Sequence, residues 1–346
     1  MRARLVQLIE ILDGKAAGKQ TVDLAEWISF FSYDFMGDMA AGFELMRDGD
    51  VKGLWKIMES GIAIQSYTQH IPWMRPVVVA LGALDSSGQK LREFVAHTAK
   101  TRAQKGTELE GEDISTYLLD EKNPNPRPIS SDVYAAEATL AIVAGSDTTA
   151  TSISCIFFYI VNDKPMFDRL RAEIDASFPP EQGVAPHEDT ARLAALPFLN
   201  AVINEALRLQ PPVPTGLQRA PEAGSGGKMV GSIFVSEGTS VTIPPYALHR
   251  DPRYFSPDPD RFWPDRWLKE NVELNQAAFI PFSVGPMNCV GKSLAQVELR
   301  AVIATLVQRF DMDFEDGWDR SRWEGDLEDF FVFRKGALPM ALRQRV

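Results

Sequence analysis

The chain has 346 residues, of which 45% are hydrophobic, and a formal net charge of −11. That hydrophobic fraction is enough for a sizeable core and excludes a disordered chain, while the acidic balance argues against general nucleic-acid binding. Two cysteines leave no disulfide framework and suit a reducing, intracellular compartment. The length exceeds the usual ~100–200 residues of a domain, yet no long Gly/Ser or Pro-rich linker divides it, so residues 1–346 are expected to form one domain.

The opening residues read as an amphipathic helix near 3–13, not as a secretory signal or membrane anchor. Helices follow near 23–40, 50–65 and 86–104. Between the last two, Pro72-Trp-Met-Arg-Pro-Val-Val-Val-Ala-Leu81 is apolar but too short to span a bilayer. Gly106–Asp113 and Glu121–Pro128 are polar and read as surface loops.

Residues 131–161 read as one long, largely buried helix, interrupted by Ala144-Gly-Ser-Asp-Thr-Thr149. A polar patch there breaks local rules. Ser, Thr and Asp compete for backbone hydrogen bonds, and Gly costs about 1 kcal/mol relative to Ala. Such violations concentrate at functional sites. A transmembrane span with a polar kink is the alternative, opposed by Glu137 and Asp147, each costly at bilayer depth.

A helix at 164–177 and a loop from Ser177 to Thr190 lead into a helix at 196–209. That helix carries Glu205 and Arg208 three residues apart, on one face. Most such pairs are solvated and worth little, but this helix is otherwise apolar and ends at Pro211-Pro-Val-Pro214, which favours burial. Arg219 lies just beyond in Thr215-Gly-Leu-Gln-Arg-Ala220. By itself it is indistinguishable from a surface arginine. Strands are expected at Ser232–Val235 and Thr239–Ile243, forming a hairpin that turns at Ser236-Glu-Gly. His249 follows, with no second His or carboxylate at ligand spacing, and is read as structural; Pro264-Asp-Arg-Trp267 comes next.

The loop Phe282-Ser-Val-Gly-Pro-Met-Asn-Cys-Val-Gly291 places one cysteine between two glycines, ahead of a helix at 291–309. Glycine permits sharp turns and close approach to a flat partner, and Pro286 stiffens the loop. A cysteine before a helix N-terminus faces free N–H groups and the positive end of the macrodipole, an arrangement that favours thiolate. A rigid loop presenting a thiolate to a planar object suits an axial haem ligand; a small buried hydrophobe is the alternative. A final small sheet is expected to include Phe330–Arg334 and Met340–Leu342.

Phe-x-x-Gly-x-x-x-Cys-x-Gly, from Phe282 to Gly291, resembles the haem-ligand loop of the cytochrome P-450 (haem-thiolate monooxygenase) superfamily, with features similar to fungal microsomal members. The resemblance implies a mainly α fold with small β-sheets, and Cys289 as the ligand of haem b iron in a loop with Phe282, Gly285 and Gly291. Ala144-Gly-Ser-Asp-Thr-Thr149 is similar to the family's oxygen-activating helix, which implies Ala144 and Gly145 against the porphyrin and Asp147 and Thr148 delivering protons to dioxygen. Glu205-Ala-Leu-Arg208 with Arg266 is similar to the family's buried structural network, and Arg219 to its propionate-pairing arginine. One position departs: Met287 stands where the family usually has Arg or His for a propionate.

Val22–Gly42 resembles a segment that members carry well inside the domain, so the chain corresponds to roughly their C-terminal two-thirds. The expected fold therefore lacks its N-terminal third, including the anchor, early strands, substrate lid and a haem-flanking helix. Members are typically endoplasmic-reticulum proteins, and the Pro72–Leu81 region lies near the membrane in them, which leaves room for peripheral contact. No Gly-x-Gly-x-x-Gly loop follows a strand, so electrons are expected from a separate NADPH-dependent flavoprotein reductase, with dioxygen and an apolar small molecule as substrates. Two rivals stand: a truncated remnant that binds haem poorly, and a haem-thiolate enzyme that works without a reductase. The second is disfavoured by Asp147-Thr148.

Overall fold

The computed structural model describes residues 1–40, 44–51, 53–80, 93–94, 96–97, 100–102, 113–125, 129–269, 272 and 274–345. Helix α1 (Arg2–Ala17) buries Leu5, Leu8, Leu12 and Ala16, an i, i+3/i+4 stripe facing the core. Strand β1 (Thr21–Asp23) leads directly into α2 (Leu24–Ala40). The Asp23 carboxylate accepts Ala25 N–H at 3.1 Å, satisfying an orphan donor at the start of α2. It also accepts Leu338 N–H at 2.9 Å, tying that start to the far end of the chain. Helix α3 spans Leu54–His70.

The central element is α4 (Ser131–Asn162), 32 residues long and N-capped by Ser130, whose hydroxyl accepts Val133 N–H at 3.2 Å. Its C-terminal half is buried nearly all round, from Ser146 to Tyr159, whereas Val133 and Leu140 in the first half are exposed. It is the one described helix long and apolar enough to cross a membrane, but most of its apolar stretch lies inside the fold. It packs along α2. A helix apolar on every side fits the centre of a large domain.

Around α4 sit α5 (Lys164–Ser177), α6 (Pro197–Leu209) and α7 (Lys292–Arg309). The described strands form three small antiparallel sheets. In the largest, β7 (Pro339–Gln344) lies between β1 and β4 (Phe310–Phe314), with Val22 opposite Met340 and Met312 opposite Leu342.

The sequence-based helices correspond to α1–α7 within a few residues, and the mainly helical class with small sheets is what the structure has. The helix expected at 86–104 lies mostly outside the described residues. Two strand expectations are corrected. The hairpin is β2 (Gly227–Val230) with β3 (Ile233–Ser236), reversing at Gly231 (φ +59°), not at Ser236–Gly238. Glu237 instead accepts the N–H groups of Gly224 and Gly226 at 2.7 and 2.9 Å, and Thr239–Ile243 contributes only a bridge between Val241 and Arg219. The segment 330–334 does not join 340–342. A left-handed Phe331 (φ +76°) folds β5 (Glu328–Phe330) back onto β6 (Val332–Arg334) as a separate hairpin. Strands β1 and β4 went unread, although Phe310-Asp-Met-Asp-Phe314 alternates as a half-buried strand does.

Candidate active site

The loop from Phe282 to Gly291 is closed by its own backbone. Cys289 N–H donates to Phe282 C=O at 2.9 Å and Asn288 N–H to Gly285 C=O at 3.1 Å. Gly285 sits at φ +80°, a conformation costly for other residues, and Ser283 accepts a similar one at +59°. Gly291 turns the chain as well, with φ −80° and ψ 2° in a turn where Lys292 N–H donates to Cys289 C=O at 3.4 Å, and it serves as the N-cap of α7. A Cβ there would lie 3.8 Å from Cys289 Sγ, in ordinary contact with the sulfur. Lys292 Nζ lies 5.9 Å from the Phe282 ring centroid, bracing the loop's entry against the helix.

Cys289 is exposed, as are Val284, Met287 and Val290 around it. Cys155 differs in every respect. It is fully buried in α4, and burial pushes its thiol up to about 12. Among the described residues no cluster of His, Cys, Asp and Glu forms a multidentate metal site.

On α4 the polar patch divides by helix face. Ala144 and Thr148 lie on the open stripe continued by Leu140. The Thr148 hydroxyl donates to Ala144 C=O at 2.6 Å. Ser146 and Asp147 are buried: the Ser146 hydroxyl donates to Ser32 C=O on α2 at 3.2 Å, and Asp147 Oδ1 lies 3.6 Å from Lys335 Nζ. Successive helical residues are about 100° apart, so Asp147 and Thr148 leave the helix in different directions. A Cβ at Gly145 would lie 2.7 Å from Met36 Cε, so its small size admits the Met36 side chain of α2. Lys335 and Met36 were missed because both reach α4 from distant segments with no local signal.

The Glu205 network is as the spacing suggested, and fuller. Glu205 receives Arg208 through two bonds of 2.9 Å, Arg266 Nε at 3.3 Å, Trp263 N–H at 2.9 Å and Trp267 Nε1–H at 2.9 Å. All three charged residues are fully buried. Arg208 also donates to His249 C=O, and Arg266 to Phe255, Pro257 and Asp258 C=O. Burial pushes the Arg266 guanidinium below its usual range. His249 is structural as read, with both ring nitrogens bonded to backbone.

Arg219 is exposed and, among the described residues, makes no ion pair; it donates to Gln218 C=O at 3.1 Å. These residues suit the haem that the loop resembles a site for. An open sulfur stands among exposed apolar side chains, Ala144 and Leu140 offer an apolar helix stripe, and one arginine is free for a carboxylate. Met287 adds apolar surface but no charge.

Comparison with known proteins agrees. The sequence profile described as Cytochrome P450 matches residues 2–328. Tryprostatin B 6-hydroxylase of Aspergillus fumigatus is 31% identical over 350 residues, which cover 100% of this chain and 61% of that protein. Cytochrome P450 67 of Uromyces fabae is 31% identical, covering 95% of this chain and 62% of the relative. The chain thus spans about three-fifths of the length of these curated relatives. A solved crystal structure of a cytochrome P450 superposes with a TM-score of 0.79 over 99% of this chain and 73% of its own, at 21% identity, and so shares the fold. With its cysteine loop, buried Glu205–Arg208–Arg266 network and profile match over nearly its whole length, the chain belongs to the cytochrome P450 family.

Proposed function

We propose that the protein is a haem-thiolate monooxygenase that inserts one atom of dioxygen into an apolar small molecule. The observation that carries this reading is the exposed Cys289, held in a closed backbone loop among solvent-facing apolar side chains. Exposed apolar surface of this kind marks a binding site. Haem, when bound, supplies the dioxygen chemistry, and the protein supplies ligand, proton route and pocket.

Cys289 would hold the haem through its sulfur. Ala144 and Leu140 would supply an apolar face that excludes water once covered, and Arg219 would pair with a carboxylate. Thr148 holds its hydroxyl hydrogen on Ala144 C=O, on the open stripe, where it can orient a proton toward a ligand over that face. Asp147 is the neighbouring acid and exchanges protons from the inner side of the helix. Electrons come from a separate NADPH-dependent flavoprotein reductase. The exposed Trp73 and Val77 near the short apolar segment suit peripheral contact with a membrane surface.

The test is the absorption spectrum of the reduced, carbon-monoxide-treated protein. Cys289→Ala abolishes the thiolate-type band, whereas Cys155→Ala keeps it. An unchanged band in the Cys289 variant sinks the assignment.

A further inference from the structure

Away from the cysteine loop, a cavity of about 360 Å³ opens beyond the end of α6. Gln210, Tyr246, Glu324, Asp329 and Phe333 line it, brought together from the end of α6, the turn Pro245–Leu248, the short helix Arg322–Gly325 and the β5–β6 hairpin. Glu324 accepts Tyr159 O–H at 3.0 Å and Gln210 Nε2–H at 3.5 Å, and Gln210 Nε2 also reaches Tyr159 Oη at 3.3 Å. That carboxylate orients the amide, because only its NH₂ end can face an acceptor. The opposite end, Oε1, has no hydrogen-bond partner, although Gln210 is only 2% exposed. Asp329 accepts the Thr215 hydroxyl and, at 3.0 Å, Phe331 N–H. Among the described residues neither Glu324 nor Asp329 enters an ion pair. The cations around them are engaged elsewhere: Arg250 with Asp260, Arg322 with Asp326, Arg334 with Glu328 and Lys335 with Asp147.

We propose that this cavity binds an organic cation, a guanidinium or ammonium group carried on an aromatic or aliphatic body, at a site separate from that of Cys289. Its wall has acceptors in excess, while the donors of Gln210, Tyr159 and Thr215 are already committed to the two carboxylates. Two carboxylates without a counter-ion and an amide oxygen without a donor match a positively charged group rich in N–H. Tyr246 and Phe333, edge to face at 6.1 Å and 78°, supply the aromatic surface that such cations favour, and the Arg250 guanidinium already lies 3.8 Å from the Tyr246 ring centroid. Solvation alone accounts for two surface carboxylates. It does not account for a buried amide oxygen left without a donor in the same wall. Glu324 meets α4 at Tyr159, eleven residues beyond Thr148 and so about 16 Å further along the helix. The proposal therefore stands without the monooxygenase reading.

Benzylguanidinium, which stays charged at neutral pH as an arginine does, is titrated calorimetrically into the full chain at low ionic strength. One site is expected, with benzylurea, its neutral isostere, binding about tenfold more weakly. Glu324→Gln keeps an acceptor for Tyr159, and Asp329→Asn keeps one for Phe331 N–H. Each should weaken the guanidinium by about fivefold or more and leave the urea unaffected. Glu328→Gln, next to Asp329 but paired with Arg334, should bind as the parent does. If Glu324→Gln fails to fold, Asp329→Asn carries the test. In the haem-loaded protein the absorption spectrum should stay constant throughout the titration. The proposal is overturned by absence of binding in the parent, by equal affinity for the urea, or by binding indifferent to both carboxylates. A haem spectrum that shifts along the binding curve places the cation at the haem and overturns it as well.

Discussion

His249 Nε2 accepts a hydrogen bond from Ile280 N–H at 2.9 Å while Nδ1 donates to Arg208 C=O at 3.1 Å. One neutral imidazole thus ties the end of α6, and with it the Glu205 network, to Ile280, two residues before the cysteine loop. Nε2 can accept only while it is unprotonated. Burial accordingly pushes His249 down from 6.5 to about 4.

That shift fixes a pH dependence. The unfolded state binds the His249 proton below 6.5 and the folded state resists it down to about 4, so this stability is fully present above 6.5 and is lost as pH falls between those values. The full effect is on the order of 3 kcal/mol. In His249→Gln, chemical denaturation curves recorded from pH 7 down to 4 should show a shallower acid loss than the parent. A parallel loss in both would show that another group carries it.

Glu298 on α7 acts with the opposite sign. It is buried against Ser32, whose hydroxyl donates to it at 3.1 Å, and burial pushes its carboxyl up from 4.5 to about 8. The folded state therefore holds a proton that the unfolded state releases, so stability is present below 4.5 and declines as pH rises to 8. Between 4.5 and 6.5 this slope and that of His249 oppose each other; above 6.5 Glu298 acts without that opposition. Glu298→Gln keeps an acceptor for Ser32 and should remove a decline of about 2 kcal/mol between pH 6.5 and 8. Denaturant midpoints at those two pH values check it.

The third prediction uses magnitude to separate two ion pairs. Arg169 and Asp265 form a bidentate pair at 2.9 Å, but both side chains are partly exposed, at 49% and 29%. Asp265→Ala should cost under about 1 kcal/mol. Glu205→Ala leaves two fully buried guanidinium groups without their carboxylate and two tryptophan-region donors without an acceptor, and should cost roughly 3–5 kcal/mol. Equal losses in equilibrium unfolding would remove the distinction.

How much was legible in the sequence follows from the range of each interaction. Glu205 and Arg208 are one helical turn apart, and the cysteine loop is a run of ten residues, so local pattern exposed both. The hairpin at 227–236 was misplaced because several glycines compete for the turn in that stretch, and only the carboxylate of Glu237, bonded back to Gly224 and Gly226, decides between them. Gly145 and Asp147 break the local helix pattern, but their partners Met36 and Lys335 arrive through tertiary folding. A pattern of residues marks that a position is unusual; it does not say which face of α4 the unusual residue serves.

The last prediction concerns Met287, which is 74% exposed two residues before Cys289. Around the proposed haem, Arg219 is the cation that the family resemblance nominates, and it enters no ion pair among the described residues. A second cation at position 287 would meet the other carboxylate of the cofactor on a loop whose backbone is already closed by the Cys289–Phe282 and Asn288–Gly285 bonds. Exposure limits what the new pair contributes, to about 1 kcal/mol or less. Met287→Arg should therefore slow haem transfer to an apoprotein acceptor by roughly two- to fivefold, with the thiolate-type spectrum unchanged. Arg219→Ala should speed transfer by a similar factor, and the double variant should return close to the parent. Transfer rates indifferent to both positions would mean that the cofactor's carboxylates are held elsewhere.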